Sequence, residues 1–364
     1  LAGVLAAPIL QVSPSMGNGL LVFVFAVVVI GGMGSIAGAI VSGFGVGLIE
    51  GLTKYLWPEA SGTVVFVVMA LVLLLRPNGL LGRPVALHDA GHAERLPAGL
   101  DTARYRFALF FALAAAFALA PAVMPPVTVM TVMCVAVFAM AFNLLVGFGG
   151  LVSFGHAMFF GTGAYVCAHA AGRWNWPAEL ALLAGLLASA TLAVVVGRLA
   201  IRRQGVYFAM ITLALSQLVY FVFLRAPFTG GEDGIQGVPR GSLLGLVPLE
   251  GNTLYVFVYG VFLACTLMLY RILHSPFGEV LTSIRDNESR ATSLGYDTAR
   301  YKLAAFVISG AFAGLAGALK AIVQQMATLN DVNLAMSGDV ILMSLLGGLG
   351  TFTGPVVGAA LLVA

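Results

Sequence analysis

Charged residues are scarce in this chain. Of its 364 residues, 18 are Lys or Arg and 15 are Asp or Glu, whereas 60% are hydrophobic. A water-soluble domain of this length needs a larger charged surface than these side chains can cover, so most of the chain must face lipid. The composition therefore predicts a polytopic membrane protein.

Cysteines and nucleotide-binding motifs are also limited. Cys134, Cys167 and Cys265 stand singly in apolar stretches, where we expect small core residues rather than a disulfide framework or a metal site. The phosphate-binding pattern G-x-x-x-x-G-K-[ST] is absent, and none of the three lysines follows a glycine loop. The sequence also lacks a basic stripe with interleaved aromatics, so we expect neither ATP hydrolysis nor nucleic-acid binding by this chain.

Apolar runs of about 20 residues, the length that crosses a bilayer as a helix, recur along the sequence. Lipid offers no partners to backbone amides, and the roughly ten-residue alternating pattern of a barrel strand does not appear. We therefore predict an all-α transmembrane bundle with about 8–11 spans, several of them broken by glycines. The predicted runs are 19–49, 62–75, 107–123, 127–146, 151–171, 177–197, 205–225, 253–273, 303–325 and 338–364.

Most of the basic residues lie in three polar stretches, at 76–106, 198–203 and 271–302. Four predicted spans separate the first two stretches and two spans separate the last two, so all three lie on one side of the membrane. The positive-inside rule assigns that side to the cytoplasm.

The third stretch contains SPFGEVLTSIRDNESRATSLGYDTARYK, residues 275–302. Ser275 followed by Pro276 is typical of a helix start, and Gly295 of a helix end. Leu281, Ile284 and Leu294 can form a modest apolar face, which would suit docking in a partner's groove. An ordinary solvated loop is the alternative interpretation.

The chain contains an internal repeat. GGMGSIAGAIVSG at 31–43 resembles GGLGTFTGPVVGA at 347–359, and LAGVLAAPIL at 1–10 resembles LAGALKAIVQ at 315–324. The matched pairs are Gly31/Gly347, Gly32/Gly348, Gly34/Gly350, Ser35/Thr351 and Gly38/Gly354. The repeat predicts two related membrane units, one truncated at its start and the other at its finish, joined head to tail.

The other long polar stretch, VALHDAGHAERLPAGLDTAR at 85–104, has the composition of a linker. We therefore predict the C-terminal part of a first unit at 1–84, a cytoplasmic linker at 85–104, and a second unit, truncated at its C-terminus, at 105–364.

Five motifs, in order along the chain, resemble the paired permease subunits of branched-chain amino acid ABC importers. They are GLVSFGHAMFFGTGAY (150–165), GVYFAMITLALSQLVYFV (205–222), TGGEDGIQG (229–237), SPFGEVLTSIRDNESRATSLGYD (275–297) and LLGGLGTFTGPVVGAAL (345–361). Residues 107–364 resemble the second permease type. Residues 1–84, which include RPNGLLG at 76–82, resemble the C-terminal third of the first type.

This resemblance implies an ABC importer permease fold and a multi-pass location, surrounded by lipid, in the bacterial inner membrane. It implies transport of branched-chain amino acids or related small amides, with no enzymatic activity in this chain. A channel or ion-coupled carrier that works without an ATPase is the alternative function. A serine–histidine hydrolase is not expected, because the G-x-S-x-G elbow and a nearby acid are absent.

The resemblance also implies which residues serve the function. In that family, 288–295 corresponds to a cytoplasmic coupling motif that lies in a cleft of the ATPase subunit. The coupling residues expected here are Arg285, Glu288, Arg290, Ala291, Gly295, Tyr296 and Asp297. The solute pathway is expected along broken helices, at Gly31, Gly34, Gly149, Gly150, Ser153, His156, Gly347 and Gly350. No metal ligands are expected.

The expected partners are ABC ATPase subunits, a companion permease unit and a periplasmic substrate-binding protein. ATP is hydrolysed by the partner subunit, and this chain is expected to bind no cofactor. Glu232 and Asp233 lie in a segment expected outside the membrane, where they shape a loop or receive the binding protein. Lys320 stands where the family pattern favours an apolar residue, and we expect its side chain to extend toward a membrane interface. A counter-charge for the substrate is the alternative interpretation.

Overall fold

We describe the fold from a computed structural model, in which the described residues are 16–32, 34–58, 61–76, 78–82, 106–203, 205–243, 245 and 247–363. The described part of the chain is predominantly helical, which confirms the predicted fold class. The chain divides into two compact units, Leu1–Leu87 and His88–Ala364. The predicted linker at 85–104 and the repeated sequence at 1–10 lie outside the described residues.

The first unit contains three described helices that pack against one another. They are α1 (Met16–Gly31), α2 (Ile36–Leu56) and α3 (Ser61–Leu75). The Ser42 hydroxyl on α2 donates to the carbonyl of Val27 on α1 at 2.7 Å, so a polar side chain inside the unit is satisfied by backbone.

The second unit is a larger helical bundle. Its helices are α4 (Arg106–Leu119), α5 (Pro126–Asn143), α6 (Ala157–Arg173), α7 (Ala178–Ala200), α8 (Val206–Arg225), α9 (Gly251–Leu273), α10 (Pro276–Asp286), α11 (Glu288–Ser293), α12 (Thr298–Gln324), α13 (Leu334–Gly347) and α14 (Gly354–Val363). A π-helical turn, Leu144–Phe148, continues α5.

Six helices within the described ranges are long and apolar enough to cross a bilayer: α2, α5 with its π-helical turn, α7, α8, α9 and α12. Several predicted runs are divided into shorter helices. The run 19–49 is split between α1 and α2, and the run 338–364 between α13 and α14. Glycines with positive φ cause these divisions, because such a backbone conformation ends a right-handed helix.

Helix α12 is the centre of the second unit and packs against α5, α6 and α7. Glycines bring these backbones close together. A Cβ atom on Gly314 of α12 would overlap the side chain of Ser189 on α7. A Cβ atom on Gly163 of α6 would overlap the backbone of Gly314 on α12. Likewise, a Cβ atom on Gly317 of α12 would overlap the backbone of Phe160 on α6.

Short strands lie between α8 and α9 and directly after α12. They are β1 (Ile235–Gln236), β2 (Ser242–Leu243), β3 (Val247–Pro248) and β4 (Met326–Ala327). β1 pairs antiparallel with β4, with Ile235 opposite Ala327, and β2 pairs antiparallel with β3. The TGGEDGIQG motif is thereby joined to the segment that follows α12.

Candidate functional site

Residues 275–302, which we call the coupling segment, form two short helices followed by the start of α12. Ser275 precedes α10 and Pro276 is its first residue, so the predicted helix start is confirmed. The Asn287 side chain accepts a hydrogen bond from the Arg290 amide at 2.8 Å and caps α11. Gly295 has φ +91° and makes the turn toward α12.

The apolar side chains of the coupling segment face two ways. Leu281 and Ile284 on α10, and Ala291 on α11, are buried. Leu294 is 71% exposed and Tyr296 is 40% exposed, so the predicted apolar face is divided between an inner and an outer surface. The packing of α10 and α11 makes this segment part of the fold and not a solvated loop.

An ion pair fastens α11 to α12. Lys302 Nζ lies 2.6 Å from Glu288 Oε2, and the lysine side chain is only 8% exposed. Asp297 accepts a hydrogen bond from the Arg300 amide at 3.2 Å and thus caps α12. Because α12 is a membrane-length helix, the coupling segment is mechanically continuous with a span.

A surface groove of about 440 Å³ runs between α10 and α11. Its lining includes acidic, basic and apolar side chains. The lining residues are Glu279, Val280, Ser283, Asp286, Asn287, Arg290, Ala291, Leu294 and Tyr296. Of the seven expected coupling residues, three (Arg290, Ala291 and Tyr296) line this groove.

Arg285, another expected coupling residue, contacts the end of α5. Its Nη1 atom donates to the carbonyl of Gly147 at 2.6 Å, and its Nε and Nη2 atoms lie 3.0 and 2.9 Å from Asp286 Oδ1. A Cβ atom on Gly150, where φ is +67°, would press against the Arg285 side chain. The arginine therefore lies directly on the segment that joins α5 to α6.

That joining segment, residues 144–156, is the helix break. It begins with the π-helical turn Leu144–Phe148 and ends where α6 starts at Ala157. The amides of Gly149, Gly150 and Leu151 donate to carbonyls of the π-helical turn, which closes the wide end of the helix. The broken helix predicted near the GFGG sequence is present.

Asn143 joins the helix break to the turn between α13 and α14. Its Nδ2 atom donates to the Thr351 carbonyl at 2.7 Å, and its Oδ1 atom accepts from the Gly350 amide at 3.0 Å. The side chain is buried. Two groups of predicted pathway glycines, 149–150 and 347–350, are thus connected by a residue that sequence reasoning missed. Its signal was an amide inside an apolar run.

Ser153 and His156 are both fully buried. The Ser309 hydroxyl donates to the carbonyl of Ala141, so the neutral histidine must donate from Nε2 to Ser309 Oγ, 2.8 Å away. Four phenylalanine rings surround the histidine: Phe138, Phe142, Phe159 and Phe306. Neither Ser153 Oγ nor His156 Nδ1 has a hydrogen-bond partner among the described residues.

The glycines of the internal repeat adopt matching conformations. Gly32 and Gly34 have φ values of +101° and +82°, and Gly348 and Gly350 have +99° and +76°. We call residues 31–38 the first glycine turn and 347–354 the second. In both, a Cβ atom on the opening glycine would overlap the backbone of the closing glycine.

The expectation that Lys320 extends to a membrane interface is wrong. Lys320 Nζ lies 2.7 and 2.9 Å from the two carboxylate oxygens of Asp331, and the side chains are 11% and 6% exposed. Asp331 also accepts from the Thr328 amide at 2.9 Å. The chain folds back after α12 through a 3₁₀ turn, Leu329–Asp331, and supplies the counter-charge that an isolated ammonium in lipid would lack.

Neither redox nor metal chemistry is indicated by the described residues. Cys134, Cys167 and Cys265 are separate, buried free thiols. No group of three or more His, Cys, Asp or Glu side chains in the described ranges could hold a metal ion.

Long apolar helices, a glycine-broken span and an amphipathic helix pair continuous with a span define a polytopic membrane permease. Residues 126–364 match the family described as branched-chain amino acid transport system / permease component. The chain therefore belongs to this family, as a multi-pass inner-membrane permease of the ABC importer class.

Three relatives show how the similarity is distributed. LivM of Salmonella typhimurium, a high-affinity branched-chain amino acid transport system permease protein, is 30% identical over 85% of this chain and 78% of its own length. LivM of Escherichia coli is 31% identical over 50% of this chain and 48% of its own length. Escherichia coli LivH, a second permease protein of that system, is 46% identical over 61 residues, 16% of this chain and 20% of its own length. No solved structure matches the chain.

Proposed function

We propose that this chain passes branched-chain amino acids or related small amides across the inner membrane in a complex driven by a separate ATPase subunit. The observation that carries the proposal is the coupling segment. It is tied to a membrane-length helix by the Lys302–Glu288 pair and to the helix break by Arg285. A surface with these two attachments can transmit movement from a partner into the bundle.

The energy is proposed to come from the partner. ATP binds to and is hydrolysed by ATPase subunits, which dock on the cytoplasmic side against the coupling segment. The groove between α10 and α11 is lined in part by exposed Leu294 and Tyr296, and it supports this docking because apolar side chains on a polar surface are typical of protein contacts. The proposed contacts are Glu288, Arg290, Ala291, Gly295, Tyr296 and Asp297, with Arg285 behind them.

The solute is proposed to pass near the helix break. Gly149, Gly150 and Gly350 belong to non-helical turns and Gly347 ends α13, and the backbone groups of such turns can bind the polar ends of a zwitterion inside the membrane. Gly31 and Gly34 supply the equivalent turn in the first unit, and Ser153 and His156 supply side-chain hydrogen bonds. The names of the relatives support branched-chain amino acids as the solute class.

The complete assembly is proposed to contain a companion permease unit and a periplasmic substrate-binding protein. The similarity of a 61-residue stretch to LivH, beside the longer similarity to LivM, supports the view that the chain carries parts of two permease units. The loop at 229–237, which β1 and β4 hold against the end of α12, is the proposed contact for the binding protein.

The test is ATP-driven uptake by the full-length chain, reconstituted in lipid vesicles with its ATPase subunits and binding protein. We expect labelled leucine to accumulate only with ATP. Changing Glu288→Ala should lower both ATPase capture and uptake by about tenfold, because Lys302 loses its partner and α11 its attachment. Glu250→Ala, at the exposed start of α9, is the matched control and should leave both unchanged.

Retained uptake in vesicles without any ATPase would instead support a channel or ion-coupled carrier. If ATPase capture is unaffected by Glu288→Ala in a well-folded sample, the coupling segment is not the docking surface.

A further inference from the structure

Three separate segments meet at Gly147, the fourth of the five residues of the π-helical turn. Arg285 reaches its carbonyl from α10, at 2.6 Å. Asn143 lies one turn earlier on α5, and Gly350 lies in the second glycine turn. A Cβ atom on Gly147 would overlap Asn143 Oδ1 and crowd the Gly350 backbone. The three segments are therefore in contact without space between them.

Backbone amides and the Arg285 side chain donate hydrogen bonds to the carbonyls of the π-helical turn. The amides that follow the π-helical turn donate to Leu144, Leu145 and Val146, and the Arg285 guanidinium donates to the next carbonyl, Gly147. A charged donor on a backbone carbonyl at a helix end is a strong hydrogen bond. Arg285 thus supplies a side-chain donor to the carbonyl that follows those three.

The same junction continues to the second glycine turn. Asn143 makes one hydrogen bond to the carbonyl of Thr351 and one from the amide of Gly350, so its amide holds that turn at two points. Asn143 directly precedes the π-helical turn, so a displacement of this end of α5 must move the second glycine turn or break both bonds. Close packing transmits such displacements because it leaves no voids to absorb them.

We propose that Arg285 and Asn143 are positioning residues that form a relay in the transport cycle. Arg285 passes the movement of α10 to the helix break, and Asn143 passes it from the break to the second glycine turn. The inference rests on the proposed function, because the relay needs a partner that moves α10. It assigns to Arg285 a role toward the membrane bundle in addition to any contact with the ATPase.

The experiment measures ATP hydrolysed per leucine imported by the reconstituted full complex. Arg285→Gln should reduce uptake about tenfold more than it reduces ATP hydrolysis, so that the ratio rises about tenfold. Arg285→Lys retains one donor that can reach Gly147. Its ratio of ATP hydrolysed to leucine imported should therefore lie between those of wild type and Arg285→Gln. Asn143→Leu should raise the ratio as Arg285→Gln does. Arg271→Gln, an exposed arginine at the end of α9, is the control and should match wild type.

Hydrogen exchange supplies a readout that loss of stability alone would not reproduce. On ATP binding, protection should change in α10, the helix break and residues 348–353 of the wild-type complex. In Arg285→Gln it should change in α10 only, and in Asn143→Leu in α10 and the break but not in 348–353.

An unchanged ATP-to-leucine ratio in Arg285→Gln, or a proportional fall in hydrolysis and uptake, would overturn the relay. If the glutamine variant does not assemble, the lysine variant decides, since a raised ratio supports the relay and a wild-type ratio overturns it. Uptake by the wild-type complex without ATP would refute the proposed function itself and is distinguishable from failure of the relay.

Discussion

The two glycine turns have matching glycine conformations and different neighbours. In the first unit the turn is held by main chain, since the amides of Leu80 and Leu81 donate to the carbonyls of Ile30 and Gly31 at 2.8 and 3.0 Å. In the second unit the corresponding turn is held by the side chain of Asn143. The repeated glycines thus specify the turn itself, while residues elsewhere decide what the turn is attached to.

The largest expected effect tests the shared backbone. Gly31→Ala and Gly347→Ala each place a Cβ atom inside the backbone of the closing glycine, so both should destabilise the protein by about 4 kcal/mol or more, the range of severe single substitutions. The loss of stability is measured by thermal unfolding of each variant in detergent, monitored by size-exclusion chromatography.

Gly260→Ala in α9 is the control, because open space surrounds the new methyl group. It should be neutral or stabilising by about 0.5–1 kcal/mol. If only one of the two turn variants is destabilised, the likeness between the turns is superficial.

The next effect concerns a position at which the repeat diverges. Lys320 corresponds in the repeated sequence to Ala6. Lys320→Met should destabilise the protein by about 3 kcal/mol, because the Asp331 carboxylate remains buried without its partner. Thermal unfolding of the single variant and of Lys320→Met with Asp331→Leu measures it. The double variant should recover most of the lost stability. If the single and double variants are equally unstable, the cost does not come from an unpaired Asp331 carboxylate.

A smaller effect is expected at the inner glycines. Gly34→Ala and Gly350→Ala force an alanine into the left-handed region, at a cost of about 1–2 kcal/mol each. Their stabilities should therefore be alike, but Gly350→Ala should also impair uptake, because relief of the strain would shift the backbone amide that donates to Asn143 and the new Cβ atom would contact the Gly147 carbonyl. Equal uptake by the two variants, relative to wild type, would contradict the different attachment of the turns.

The smallest expected effect is the difference in stability between variants of the two matched hydroxyl residues, Ser35 and Thr351. Ser35 Oγ accepts from the Gly38 amide at 3.0 Å and caps α2, whereas Thr351 Oγ1 donates to the Gly348 carbonyl at 2.7 Å within the turn. Ser35→Ala should cost about 1 kcal/mol as the loss of a helix cap. Thr351→Val should cost about 0.5 kcal/mol. Denaturation midpoints of the two variants under one condition measure the difference, and a reversed order would show that the hydroxyls play other roles.

Local signals in the sequence were sufficient for much of the fold. The apolar runs predicted the helices, Pro276 predicted the start of α10, and the repeated glycines indicated two similar segments, because each of these features acts within a few residues of its own position. The division of long runs into shorter helices was less evident, since it depends on the φ values of particular glycines.

The junction at Gly147 could not be predicted in the same way. Arg285 is 138 residues away from Gly147, and Asn143 is 208 residues away from Thr351. No periodicity encodes such distant contacts, and Arg285 has the same appearance in the sequence as any solvated arginine. Lys320 was misplaced for the same reason, since its partner Asp331 lies beyond the end of its helix.

The π-helical turn has a further consequence for how the bundle can move. Such a turn holds one residue more than the α-helix would in the same length, and its relaxation to α-helical hydrogen bonding displaces the following residues by about 1.5 Å along the axis and about 100° around it. At Leu144–Phe148 this change would rotate the Gly147 carbonyl, to which Arg285 donates. A change of the turn to α-helical hydrogen bonding would therefore be a stepwise motion and not a gradual bend.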